Sequence, residues 1–217
     1  MESGITLLED KNDMRTRIKI CGITRSEDAL YAAEQGVDAL GFVFSKSPRR
    51  IDADTARDLI WEIPPLVSVV GVFVDETDEI VKHIARRCRL NMLQFHGSEK
   101  PEYISTFNRK IIKAIRVQSE KDLEQISHYH VHAILLDTYV DGINGGTGKT
   151  FDWNLAIKAK QYGRVILSGG LNPDNVAEAI QKVKPFAVDV SSGVESEPGI
   201  KDHNKIKSFI EAVNKAG

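Results

Sequence analysis

Cys21 and Asp137 are the residues of this 217-residue chain whose types and positions best suit proton transfer. Each closes a short apolar run, Ile18–Cys21 and Ala133–Asp137. A thiolate can take a proton from a substrate and a carboxylic acid can give one, provided both pKa values lie near working pH. A free thiol ionises near ~8.5, so a neighbouring cation such as Arg49 is expected to hold Cys21 as thiolate. Asp137 follows Leu135-Leu136, and an apolar surrounding would raise its pKa and keep its proton available. Spacing alone leaves a structural role open for both, since cysteine is a common buried filler and a strand-end aspartate often accepts from loop N–H groups.

Other polar residues also follow apolar runs. Ser47-Pro48-Arg49-Arg50 offers a guanidinium to a planar carboxylate, which an arginine can grip with two parallel hydrogen bonds, unless both arginines are a solvated surface pair. His96 is either a third catalytic group or a hydrogen-bonder that holds its loop. Ser168-Gly169-Gly170 and Ser191-Ser192-Gly193 let the backbone approach a ligand closely, so that N–H groups can point at phosphate oxygens without a lysine; tight turns alone would also use these glycines. Gly145-Gly146-Thr147-Gly148-Lys149-Thr150 superficially resembles a nucleotide-binding P-loop, but that motif needs a glycine where Ile143 stands. It reads as a glycine-rich loop that closes over substrate or as a plain solvent loop. Cys88, beside Arg86-Arg87, reads as structural.

The elements that must position these residues alternate eight times from Arg17 onward. Strand runs are expected at Ile18–Cys21, Ala39–Phe44, Val67–Val74, Met92–Phe95, Ile111–Val117, Ala133–Asp137, Arg164–Ser168 and Phe186–Val190, with helical periods between them. Thr24-Arg-Ser-Glu27 has the form of a capping box, with Gly36 as the C-terminal glycine. Asn172-Pro173 has the form of a helix start ahead of Val176, Ala179, Ile180 and Val183, and Ile206, Phe209, Ile210 and Val213 make a final apolar face. Eight strand–helix units in this length predict one parallel (β/α)₈ barrel, a TIM barrel, over residues 17–217. An open doubly wound sheet is the alternative, and no G-x-G-x-x-G follows the first strand to support it. In a barrel the active site lies at the C-terminal strand ends, and the first and sixth strands face each other across that mouth. Residues 1–16 are read as an appended segment of unknown role.

Composition narrows the function classes. With 41% hydrophobic residues and net charge −2, the chain is long enough for one large core and carries no basic stripe for nucleic acid. Its two cysteines lack metal-ligand or disulfide-framework spacing, so a reducing compartment and no metal are expected. No apolar run approaches the roughly 20 residues of a membrane span, and no signal segment opens the chain, so a soluble cytoplasmic protein is expected.

Nine stretches, in order and correctly spaced, resemble the phosphoribosylanthranilate isomerase family of tryptophan biosynthesis. They are Lys19-Ile-Cys21-Gly-Ile-Thr24, Gly41-Phe-Val-Phe44, Ser47-Pro-Arg49, Gly71-Val-Phe-Val74, Gln94-Phe-His96-Gly97, Leu136-Asp137-Thr138, Gly145-Gly-Thr-Gly148, Ser168-Gly-Gly-Leu171-Asn-Pro173 and Asp189-Val-Ser-Ser-Gly-Val194-Glu195. The resemblance implies an aldose–ketose (Amadori) rearrangement of N-(5-phosphoribosyl)anthranilate to 1-(2-carboxyphenylamino)-1-deoxyribulose 5-phosphate without cofactor or metal, by a monomer or homodimer. It also implies that Asp137 protonates the ring oxygen, Cys21 removes the C2 proton, Arg49 meets the anthranilate carboxylate, and Gly169, Gly170, Ser192 and Gly193 hold the phosphate, with His96 nearby. Two departures stand out: Phe95, where leucine is common, and the long leader. The other readings weighed are a histidine-pathway isomerase of the same chemistry, which resembles a two-aspartate site, a thiol hydrolase using Cys21 and His96, and a phosphate-ligand sensor.

Overall fold

The computed structural model describes residues 15–137 and 153–217. Its first half runs β1 (Arg17–Cys21), α1 (Ser26–Glu34), β2 (Ala39–Val43), α2 (Ala53–Glu62), β3 (Ser68–Phe73), α3 (Asp78–Arg87), β4 (Met92–Phe95) and α4 (Pro101–Ile104). The second half continues β5 (Lys110–Arg116), α5 (Lys121–Glu124), β6 (Ala133–Asp137), α6 (Trp153–Ala159), β7 (Val165–Ser168), α7 (Val176–Val183) and β8 (Ala187–Val190). A small antiparallel hairpin of β9 (Glu195–Glu197) and β10 (Ile200–Lys201) then precedes α8 (His203–Ala216). The eight long strands are parallel and close into a barrel, β1 pairing with both β2 and β8. Every expected strand is present, with ends shifted by at most one residue.

Strand periodicity explains both the barrel and the placement of its polar groups. Side chains alternate between faces, so Ile18 and Ile20 of β1 join Leu40, Phe42, Phe73, Leu93 and the helix residues in the outer core. The inward set forms a separate cluster of Ala39, Val70, Ile112, Ala114, Ala133, Leu135, Ile166 and Ala187. The same parity turns Lys19, Cys21, Gln94, Asp137, Ser168 and Asp189 inward above that apolar plug, toward the C-terminal mouth.

Helix starts correct two expectations. Thr24 is not a cap: its hydroxyl donates to the Gly199 carbonyl, while α1 begins at Ser26 with Arg25 at the N-cap and no side-chain cap bond. The contact with the later hairpin outcompetes the local box. Asn172 likewise sits ahead of the helix. Its side chain accepts from Asp174 N at 2.8 Å and Asn175 N at 3.2 Å, and α7 begins only at Val176. This local turn delays the helix and lengthens the loop after β7. The final helix matches its expected face, with Ile206, Phe209, Ile210 and Val213 buried, and Asp202 caps it by accepting from Asn204 N and Lys205 N. Gly36 follows α1 at φ +91°, as a C-terminal glycine should.

Of the appended segment only Arg15 and Thr16 are described; Arg15 forms a two-pronged pair with Asp38 at 2.7 and 2.9 Å. The glycine-rich stretch Gly145–Gly148 and Thr138 lie outside the described residues.

Candidate active site

Cys21 ends β1 and Asp137 ends β6, both facing inward at the barrel mouth. Cys21 is 8% exposed. Burial pushes its thiol above the ordinary range; Lys19 pulls it back by charge and hydrogen bond, Asp189 raises it and Lys201 lowers it. The cation that most favours the thiolate is therefore Lys19, ahead of the Arg49 expected there. Arg49 instead has its guanidinium edge held by Glu195, Nε to Oε1 at 2.7 Å and Nη2 to Oε2 at 2.6 Å. That pair raises the Arg49 pKa further, and Glu195 is held low by Arg49 and Lys201 against the opposing effect of burial. Nη1 of Arg49 has no hydrogen-bond partner among the described residues. Arg50 is exposed and donates to the Phe44 carbonyl, so the two arginines are not equivalent.

Asp137 has a polar neighbour in place of the purely apolar surrounding expected. Its Oδ2 lies 3.1 Å from His96 Nε2, and His96 Nδ1 lies 3.1 Å from Gln94 Nε2. With the amide donating to Nδ1, the imidazole is neutral and its Nε2–H donates to the carboxylate. Turning Gln94 Oε1 to a protonated Nδ1 frees Nε2 to accept from a protonated Asp137. Gln94 Oε1 is buried with no partner in the first arrangement; the second gives the oxygen a partner and puts the amide NH2 in the unpartnered place. His96 thus faces the Asp137 carboxylate as well as being tied to its own strand.

The loop carrying His96 is pinned from beneath by a pair that sequence reading did not single out. Lys113 Nζ donates to Glu99 Oε2 at 2.8 Å and to the Gly97 carbonyl at 2.6 Å, with both side chains 2% exposed. Glu99 in turn accepts from Gly97 N and Asp75 N. Glu195 and Lys201 were also missed as partners. Lys201 Nζ donates to the Cys21 carbonyl at 2.7 Å, the Ser191 carbonyl at 3.2 Å and Glu195 Oε1 at 2.8 Å. The β9–β10 hairpin therefore ties together the backbone at Cys21, the loop after β8 and Arg49.

The expected phosphate loops are adjacent. Gly169 and Gly170 have φ of +85° and +68°, conformations that glycine adopts without steric cost. Ser192–Val194 forms a 3-10 turn after β8. A Cβ on Gly193 would lie 1.9 Å from the Leu171 carbonyl oxygen, so the two loops touch backbone to backbone. Gly193→Ala is expected to destabilise the protein by about 1–3 kcal/mol, the usual scale of overpacking, and to raise KM for a phosphate-bearing substrate. An unchanged denaturation midpoint and KM would separate the loops from both roles.

Cys88 is buried, donates to the Ala53 carbonyl at 3.3 Å, and has its thiol pushed up to about 11 by burial. Among the described residues no group of three or more His, Cys, Asp or Glu could hold a metal ion, and no helix is long and apolar enough to cross a membrane.

Comparison with known proteins agrees with this layout. Residues 18–212 match the family model described as N-(5'phosphoribosyl)anthranilate (PRA) isomerase. The chain is 52% identical over 195 residues to N-(5'-phosphoribosyl)anthranilate isomerase of Geobacter metallireducens, covering 89% of this chain and 96% of that one. It is 52% identical over 203 residues to the enzyme of that name from Pseudomonas putida, covering 92% and 98%. Among solved structures, phosphoribosyl anthranilate isomerase from Thermotoga maritima superposes with TM-score 0.87 at 48% identity, covering 92% of this chain and 99% of that one. A phosphoribosyl anthranilate isomerase in complex with reduced 1-(o-carboxyphenylamino)-1-deoxyribulose 5-phosphate gives 0.84 at 46%, with the same coverage.

Proposed function

The chain belongs to the N-(5'-phosphoribosyl)anthranilate isomerase family, and from that premise we propose that Asp137 is the general acid and Cys21 the general base of its reaction. The reaction itself is the aldose–ketose isomerisation of N-(5'-phosphoribosyl)anthranilate in tryptophan biosynthesis. Asp137 protonates the ribose ring oxygen, the C1–O bond breaks as the amine lone pair moves in, and a Schiff base results. Cys21 as thiolate removes the C2 proton to give the enolamine. The Cys21 thiol then returns its proton to C1 and the Asp137 carboxylate takes the proton of the enol hydroxyl, so the ketone forms and both groups return to their starting states. No atom is gained or lost.

The observation that carries this reading is the placement of each group beside a partner suited to its task. Cys21 lies inward on β1, its sulfur and the Lys19 ammonium flanking Gly41, and Asp137 lies inward on β6 with His96 able to share its proton. A hydrolase using Cys21 with His96 is disfavoured, because His96 is committed to Asp137 and Gln94. Loss of anthranilate fluorescence on mixing the protein with freshly made substrate tests the activity. Turnover is expected, and a folded protein without it would contradict the reading.

The outer edge of Arg49 binds the anthranilate carboxylate, and the loops at Gly169-Gly170 and Ser192-Gly193 hold the phosphate. Arg49→Ala should raise KM by roughly tenfold to a hundredfold, since a charged hydrogen-bonded contact is worth ~1.5–3 kcal/mol, with a smaller effect on kcat. Unchanged KM and kcat would remove Arg49 from the site. One solved relative is described as a dimeric isomerase from Thermotoga maritima; for this chain a monomer or homodimer acting on a small molecule in the cytoplasm is our reading, with no nucleic-acid or membrane partner.

A further inference from the structure

We propose that Lys19, held inside the barrel by Asp189, is the positioning residue that sets the charge state of the Cys21 thiol. The inference rests on the reading of Cys21 as base and explains how a buried thiol is fitted for that work.

Lys19 and Cys21 are two residues apart on β1 and so share the inward face. Asp189 is the register partner of Lys19 on the neighbouring β8, and Nζ lies 2.8 Å from Oδ1. The side chains are 4% and 6% exposed, so the pair is enclosed, directly above the apolar inward cluster. An enclosed ion pair is seldom more stable than well-packed hydrophobic residues of the same volume. Folding stability alone therefore gives no reason for a lysine there. A chemical reason lies beside it: a Cβ on Gly41 would stand 2.8 Å from Cys21 Sγ and 3.1 Å from Lys19 Nζ. The sulfur and the ammonium flank one point, and the bare Gly41 leaves that point open to them.

The other charged groups around the thiol come from three further directions. Asp189 reaches in from β8, with Ser168 Oγ 3.2 Å from its second oxygen. Lys201 comes from β10 and donates to the Cys21 carbonyl, and Arg49 comes from the loop after β2. Glu195 pairs with both Lys201 and Arg49. Among these groups Lys19 has the largest effect in favour of the thiolate, and Asp189 opposes it. The two halves of the pair should therefore move the thiol in opposite directions. Removing the ammonium makes the thiolate harder to form; removing the carboxylate leaves the thiolate as the ammonium's counter-ion and makes it easier to form.

The test is the pH dependence of Cys21 alkylation by iodoacetamide, resolved from Cys88 by peptide mass spectrometry, in the full chain and in Lys19→Met and Asp189→Asn. The midpoint should rise by about one pH unit or more in Lys19→Met, a tenfold loss of thiolate at neutral pH, and should fall in Asp189→Asn. In Lys19→Met, kcat/KM should drop at neutral pH and recover toward alkaline pH, whereas a purely structural defect would lower it equally at every pH. Should Lys19→Met not fold, Lys19→Met/Asp189→Leu leaves no unpaired charge and carries the same upward expectation. Midpoints that stay put, or that move the same way in both single variants, overturn the inference. Turnover surviving in Cys21→Ala while the midpoints still move as stated would instead remove Cys21 as base and leave its coupling to Lys19 standing.

Discussion

Asp137→Asn keeps the shape of the side chain and is expected to lower kcat by about 10²-fold or more, the usual scale for losing a general acid, with modest change in KM. The amide retains an oxygen that can accept from His96 Nε2, which lies 3.1 Å from Oδ2 in the native protein. The strand end and the His96 loop should therefore stay in place. What should disappear, on the proposed mechanism, is the proton that the ring oxygen receives before the C1–O bond breaks. A fall in kcat and in kcat/KM of similar size would mark an interaction made in the transition state only. Near-native turnover would take Asp137 out of the mechanism.

Cys21→Ala is expected to cost a similar factor of about 10² or more in kcat, the scale for losing a general base. Two explanations would give that result, loss of the base and loss of packing, because the side chain is buried. Cys21→Ser separates them. The hydroxyl nearly restores the volume but does not ionise near neutral pH, so the serine variant should fold well and remain as slow as the alanine one. Activity returning with serine would assign Cys21 to packing.

Much of this layout could be read from the chain itself, and the reasons are specific. The eight strands announce themselves as short buried runs, and their strict two-residue period carries Cys21 and Asp137 to the mouth with little room for error. The glycines of the loops after β7 and β8 are legible for two different reasons, positive φ at Gly169 and Gly170 and a close backbone approach at Gly193 against Leu171. Lys19 and Asp189 were visible as charged residues inside apolar strands, but their pairing depends on register between the first and last strands. Glu195 and Lys201 were less visible still. Their roles depend on a hairpin after β8, and Glu195 meets Arg49 across 146 positions of sequence. Local patterns failed where a distant partner competed: Thr24 has the form of a cap, yet the Gly199 carbonyl takes its hydroxyl.

The division of labour between Asp137 and Cys21 is tested most directly by the kinetic isotope effect on kcat with substrate deuterated at ribose C2, compared between Asp137→Asn and Cys21→Ala. Without its acid the enzyme should be limited by ring opening, which breaks no bond to the C2 hydrogen, so the effect should be close to unity in Asp137→Asn. Without its base the enzyme should be limited by removal of that hydrogen, so a full primary effect is expected in Cys21→Ala. Equal effects in the two variants, or the reverse order, would contradict the assignment of acid and base.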